Sequence, residues 1–258
     1  MASEPGDVVL EAQALGKRYG GVEALRGANF QVRAGEVVAL IGDNGAGKST
    51  LVKCLSGAEQ PDSGTILLDG SETVLGTPTA ARNLGIETVY QDLAVAPDLD
   101  PAANLFLGRE LIRRGWAGRL GMLDKRAMRN QAVEHFRRLG VTLQSADVPI
   151  GALSGGQRQS VAVARAVLWA SKVVFMDEPT AALGVVQRER VLEVIRNVRD
   201  QGIAVVLISH NMPEVLAVAD RIEVLRLGKR VARFVAADAT LEQLVGAMTG
   251  ALSHEDAA

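Results

Sequence analysis

Residues 42 to 49, Gly42-Asp43-Asn44-Gly45-Ala46-Gly47-Lys48-Ser49, match G-x-x-x-x-G-K-S, and Thr50 follows directly. Glycines at 42, 45 and 47 let the backbone curl so that successive N–H groups converge on a phosphate, and a helix starting at this point adds partial positive charge. Lys48 can bridge the two outer phosphates of a nucleoside triphosphate, and the Ser49 hydroxyl is a hard oxygen ligand for Mg²⁺. Downstream, Asp177 and Glu178 follow the apolar run Val173–Met176. An Asp-Glu pair after a strand is usually a solvated strand end. Beside a phosphate loop, Asp177 is placed to orient Mg²⁺ through water, and Glu178 follows it directly. A second phosphate reader is Leu153-Ser154-Gly155-Gly156-Gln157, which introduces the helix-patterned Arg158–Leu168. There the Ser154 hydroxyl and the amides of Gly155 and Gly156 would face an anion at a helix N-terminus. One compact site rarely applies two such loops to one nucleotide. The economical arrangement is a head-to-tail dimer in which each chain's second loop covers its partner's nucleotide.

These groups need a rigid frame. Val37–Ile41 is a continuous apolar run ending at the phosphate loop, and Leu51, Val52 and Leu55 follow at helical spacing, which reads as buried strand, loop, helix. Val173–Met176 and Ile203–Ile208 are further buried strands, separated by the helical pattern Val191, Val194, Ile195, Val198, so a parallel β-α-β crossover is expected. Alternation in Val8–Ala14 and Phe30–Arg33, together with Thr65–Asp69 and Ile86–Tyr90, supplies a first β layer. From Pro101 to about Arg138 the pattern turns helical, with Ala102, Leu105 and Phe106 on one face and Met128, Ala132, Val133 and Phe136 on another. Arg221–Leu227 and Arg230–Val235 flank a turn as a hairpin, and Leu241–Met248 makes a closing helix.

Composition narrows the function. Apolar residues at 48% of 258 suffice for a substantial core, while 28 Lys plus Arg against 30 Asp plus Glu give no global attraction to polyanions, so a nucleic-acid partner is not expected. One cysteine excludes an internal disulfide, and three scattered histidines form no ligand cluster. The first residues lack a signal-peptide pattern and no apolar run approaches the ~20 residues of a bilayer span, so the expectation is a cytoplasmic chain. A GTPase would carry an Asn-Lys-x-Asp base reader, which the sequence lacks.

Over about residues 8 to 250 the chain resembles the ATP-binding-cassette ATPases. Tyr19 resembles the aromatic that stacks on adenine, residues 42–50 the Walker A loop, and Gln91 in Val89-Tyr90-Gln91-Asp92 the Q-loop glutamine. Leu153–Gln157 resembles the family signature, Val173–Asp177 Walker B, Glu178 the catalytic carboxylate and His210 the switch histidine. Within the family the resemblance is to ATPases of bacterial monosaccharide importers of the ribose, xylose and fructose kind. It is carried by Gly42–Gly45, Gln91-Asp92-Leu93 through Asn104–Glu110, and Pro179-Thr180-Ala181-Ala182-Leu183-Gly184. One set of motifs points to the single-cassette, fructose-import type. The wider family usually has Leu-Asp where Gly184 follows Leu183 here, so the D-loop aspartate is missing.

The resemblance implies an α/β P-loop NTPase core with a mainly parallel sheet, an antiparallel β layer and an inserted helical subdomain at about 92–165. A single domain over 8–250 and a flexible tail at 251–258 are expected. It implies ATP and Mg²⁺, the metal held by Ser49, Gln91 and Asp177, with Glu178, His210 and Lys48 in catalysis. Implied partners are a second copy, membrane permease subunits and, indirectly, a periplasmic sugar-binding protein, at the cytoplasmic face of the inner membrane. Competing readings are a soluble cassette ATPase acting on DNA or ribosomes, which commonly carries long coiled-coil insertions or two linked cassettes, and a regulatory module without turnover. Cys54 and Trp169 read as core residues, and His135 and His254 as surface groups. The segment 108–138 holds nine basic and three acidic residues and reads as a solvated face.

Overall fold

The computed structural model describes residues 6–89, 94–141, 143, 147–181 and 183–251. The strands are β1 (Val8–Tyr19), β2 (Val22–Arg33), β3 (Val37–Ile41), β4 (Ser63–Leu68), β5 (Ser71–Glu72), β6 (Ile86–Val89), β7 (Val173–Asp177), β8 (Ala204–Ile208), β9 (Arg221–Arg226) and β10 (Lys229–Val235). The helices are α1 (Lys48–Leu55), α2 (Pro78–Asn83), α3 (Pro101–Leu105), α4 (Trp116–Arg119), α5 (Lys125–Arg138), α6 (Gly155–Trp169), α7 (Val185–Asp200), α8 (Met212–Val218) and α9 (Leu241–Thr249). The chain divides into two compact units, one of residues 1–88, 169–178 and 195–258, the other of 89–168 and 179–194.

The first unit holds two sheets. Six strands run in the order β10-β9-β3-β8-β7-β6, and β3 pairs in parallel with β8 and β9, as β7 does with β8. Every residue of β3 and β8 is buried, which is why both read as unbroken apolar runs without alternation. The other sheet is antiparallel, β2-β1-β4-β5. Phe30, Leu51, Leu55 and Phe175 are among the side chains of a shared apolar core between strands and α1.

β1 and β2 are longer than the expected Val8–Ala14 and Phe30–Arg33. Apolar alternation breaks at Ala14, whose φ of 50° marks a bulge with a register shift, and the Asn29 Oδ1 accepts the Ala14 N–H at 2.9 Å. A bulge moves the period-2 pattern off register, so the continuation to Tyr19 carried no alternation to read. At the far edge, Leu227 and Gly228 both have positive φ and join β9 to β10, the backbone a tight two-residue hairpin needs.

In the second unit α3 packs on α5. Asn104 is fully buried and satisfied by the loop before it. Its Oδ1 accepts from Ala96 N–H at 2.7 Å, and its Nδ2 lies within hydrogen-bond distance of the carbonyls of Ala96, Leu99 and Asp100. Met128, Ala132 and Phe136 of α5 are buried as expected, but Val133 is half exposed, one position off that face. His135 corrects the surface assignment: it is half-buried, with its Nε2 2.9 Å from the Ala164 carbonyl of α6. Trp169 is half-buried rather than a core residue, whereas Cys54 is fully buried. Between α3 and α5 a narrow hairpin, closed by Arg113 N–H to Met122 O at 2.9 Å, carries α4 at its tip with Trp116 76% exposed. Among the described residues no helix is long and apolar enough to cross a membrane.

Candidate nucleotide site

β3, β8 and β7 are adjacent parallel strands, so their C-terminal ends share one edge, where open α/β sheets bind ligands. From β3 the chain enters the loop 42–47. Gly42 has φ 152° and a Cβ there would overlap the Leu225 carbonyl; Gly47 has φ 103° and a Cβ would lie 2.6 Å from the Ala24 carbonyl. Only glycine fits either position. Gly45, at φ 81°, has nothing within 4 Å of a Cβ position. Asp43 and Asn44 are exposed, Ala46 is buried, and the Ala46 carbonyl accepts the Gly228 N–H at 2.9 Å, so the β9–β10 turn buttresses the loop. At the N-terminus of α1 Gly47 offers no side-chain cap and no acidic residue stands in the first turn. The leading amides of α1, including those of Lys48, Ser49 and Thr50, therefore form an unneutralised cationic end.

Lys48 spans this loop, with Nζ donating to the carbonyls of Gly42 at 2.6 Å and Asp43 at 3.0 Å. Burial pushes its pKa down, opposed by Glu178, Asp43 and Asp177. Asp177 ends β7 opposite Ile208 of β8; burial pushes its carboxyl upward, Glu178 adds to this and Lys48 offsets it. The mutual influence of these four charges places the lysine and both carboxylates of the Asp-Glu pair in one electrostatic site.

Glu178 adopts φ 49°, a left-handed backbone rare for a long side chain, while its N–H donates to Ile208 O at 2.9 Å. The turn aims its carboxylate at His210, two residues beyond β8. Glu178 Oε1 accepts from the His210 backbone N–H at 3.1 Å and lies 2.7 Å from Nδ1. The Glu178 side chain is 17% exposed and that of His210 80%. The Nδ1 contact ties the imidazole to the carboxylate, so Glu178 sets the orientation of the ring.

Tyr19 ends β1, 42% exposed, with Lys17 Nζ 5.7 Å from its ring centroid. Gln91 lies outside the described residues, as do Asp92, Ala182 and His254.

In the second unit the helix α6 begins at Gly155, three residues earlier than its apolar pattern. Ser154 Oγ accepts the Gln157 N–H at 3.3 Å while Gln157 Oε1 accepts the Ser154 N–H at 3.2 Å, a reciprocal capping box. The serine hydroxyl is an acceptor in this cap and keeps its proton as a donor. Arg158 fixes the turn from below by donating to Leu153 O at 2.7 Å. In the sequence Gly228 reads only as part of the turn between β9 and β10; its support of the phosphate loop arises across a long sequence separation and leaves no local pattern.

Ser49 and Asp177 present hard oxygens, and among the described residues no group of three or more His, Cys, Asp or Glu forms a metal site. This donor set fits Mg²⁺, which takes one or two protein oxygens and completes its shell from water and phosphates. It does not fit a metal caged by protein alone.

A family model described as ABC transporter matches residues 25–181. The chain is 52% identical over 253 residues to the fructose import ATP-binding protein of Rhizobium meliloti, covering 97% of this chain and 96% of that one. It is 43% identical to the xylose/arabinose import ATP-binding protein of Sulfolobus acidocaldarius, covering 93% and 94%. Among solved structures, cbiO1 from Clostridium perfringens, part of the ABC transporter complex cbiONQ, superposes with a TM-score of 0.77 at 26% identity over 93% of both chains. Phosphate loop, Asp-Glu strand end and capped signature turn thus stand in a sequence matched nearly end to end, and the chain belongs to the ABC transporter family, carrying its ATP-binding domain.

Proposed function

We propose that the chain binds and hydrolyses ATP as the energising subunit of a bacterial importer for a monosaccharide of the fructose, ribose or xylose kind. The observation that carries this is the Glu178–His210 pair held at the strand edge beside Lys48 and Asp177, in a chain half identical to a fructose import protein. The cassette would be a single functional domain over 8–250. Two copies would close head-to-tail, each contributing Lys48 and the loop amides to its own ATP and Ser154, Gly155, Gly156 and Gln157 to its partner's.

ATP is the substrate. The loop 42–47 and the N-terminal amides of α1 bind its phosphates, Lys48 neutralises the outer ones, and Tyr19 stacks on the base. Ser49, Gln91 and Asp177 would hold Mg²⁺, which supplies charge neutralisation of the phosphates when bound. Glu178 Oε1 accepts from the His210 backbone N–H, and the carboxylate would take a proton from the attacking water. With Nδ1 donating to Glu178, His210 would present Nε2 as an acceptor for one hydrogen of the attacking water and so orient it. Much of the rate gain comes from positioning and charge stabilisation.

Closure of the dimer would act on permease subunits at the cytoplasmic face of the inner membrane, with the periplasmic sugar-binding protein engaged through the permease. Gentle detergent extraction of native membranes and capture of the tagged chain, with and without ATP, tests the assembly. Mass spectrometry is expected to find a polytopic permease. Recovery of soluble partners alone would remove the transport reading and leave an ATPase.

A further inference from the structure

Two glycines of the second unit lie against one side chain, Gln187. Gly156, the second glycine of the signature, and Gly184, just before α7, both lie outside the left-handed backbone region that demands glycine. Space decides instead. A Cβ on Gly156 would lie 2.5 Å from Gln187 Cγ and 2.8 Å from Gln187 Cβ, and one on Gly184 would lie 2.6 Å from Gln187 Oε1. The amide oxygen at Gly184 is the far end of a flexible chain and can swing aside. The methylenes at Gly156 are anchored near the backbone of α7 and cannot.

We propose that Gln187 is a positioning residue for the signature turn: its methylenes, seated against the Cα of Gly156, set the placement of α6's first turn and hence of the Ser154 hydroxyl and signature amides. The inference rests on the reading of that turn as a reader of the partner's ATP. Gln187 stands in the first turn of α7, reached from Glu178 through the segment 179–184, so the same chain stretch that leaves the catalytic carboxylate carries the side chain that seats the signature. Gln187 also lines, with Ser154, Gln157, Ser160 and Arg190, a polar cavity of about 270 Å³ beside the serine. A loss of its methylenes would free the turn to shift by a fraction of an ångström. Misplacement on that scale reduces turnover while the protein's own phosphate loop binds as before.

The test uses the full chain with Gln187→Ala, Gln187→Met, Gly156→Ala and the double variant Gly156→Ala/Gln187→Ala, measuring phosphate release, nucleotide affinity of the isolated chain and thermal midpoint. Gln187→Ala is expected to lower kcat on the order of 10- to 100-fold. Its nucleotide Kd should stay within about twofold and its midpoint within about 2 °C of wild type, a split that a merely structural role would not give. Gln187→Met, which keeps the methylenes, should restore most of the turnover. The double variant should exceed Gly156→Ala alone, because truncation of Gln187 makes room for the added methyl. Wild-type turnover in Gln187→Ala, a loss that follows the thermal midpoint, equal losses in Ala and Met, or additive losses in the double variant would overturn the proposal. A wild-type chain that hydrolyses no ATP would overturn the ATPase reading itself, and with it a positioning role in that reaction.

Discussion

At the scale of single residues the site separates binding from chemistry. Lys48 is tied to the phosphate loop through the carbonyls of Gly42 and Asp43, whereas His210 is bonded to Glu178. Lys48→Ala removes the cation of the phosphate loop and is expected to weaken nucleotide affinity by about 10- to 100-fold, read by fluorescent-nucleotide titration. His210→Ala should leave that affinity near wild type and slow turnover on the order of 10²-fold or more in phosphate-release assays. A His210→Ala protein that loses affinity and keeps its kcat would reverse these roles. Lys48, Asp177 and Glu178 were legible from spacing alone, because strand, loop and helix signals bracket them. The bond between Glu178 and His210 was not, since 31 residues separate them in the sequence and only the adjacency of β7 and β8 brings them together.

At the scale of elements, burial decides more than local pattern does. His135 is the case where isolation in sequence misled: α5 turns it onto the Ala164 carbonyl of α6, and burial lowers its pKa below the ordinary imidazole value of 6.5, with Arg138 adding to the shift and the Ala164 bond opposing it. The unfolded chain then takes up the proton at higher pH than the folded one. Stability contributed by neutral His135 is fully present above pH 6.5 and declines as pH falls through the depressed folded value. Urea unfolding from pH 7.5 to 5 is expected to show this slope, and His135→Gln, which keeps a donor for Ala164, to flatten it. An unchanged slope would assign the acid sensitivity to other groups. Several short helices escaped the periodicity search while carrying clear capping signals. Thr77 caps α2 with Pro78 behind it, and Asn211 caps α8, its Oδ1 accepting from Glu214 N–H at 3.4 Å. Helices of six or seven residues have too few turns to establish an apolar stripe, so their ends are more informative than their middles.

At the scale of the whole molecule the parallel sheet followed from β3, β7 and β8 as apolar runs and the antiparallel layer from the alternation in β1, β2 and β4, whereas Ile86–Val89 joins the six-stranded sheet rather than that layer and the bulge at Ala14 hid how far β1 extends. The signature turn is capped by Ser154 with Gln157, whereas the amides at the start of α1 after the phosphate loop have no side-chain cap. Two readers of one ligand type in a chain with one nucleotide loop is what the proposed sharing of sites between two copies requires. The central claim, that Glu178 drives hydrolysis in an ATP-closed dimer, is tested most directly by Glu178→Gln, with light scattering and phosphate release followed in the same ATP titration. The substituted amide keeps the size of the carboxylate and cannot take a proton from water. The expected result is retained ATP binding, a stable ATP-dependent dimer and turnover reduced on the order of 10²- to 10⁴-fold. A Glu178→Gln protein that stays monomeric with ATP and hydrolyses it at the wild-type rate would contradict the account.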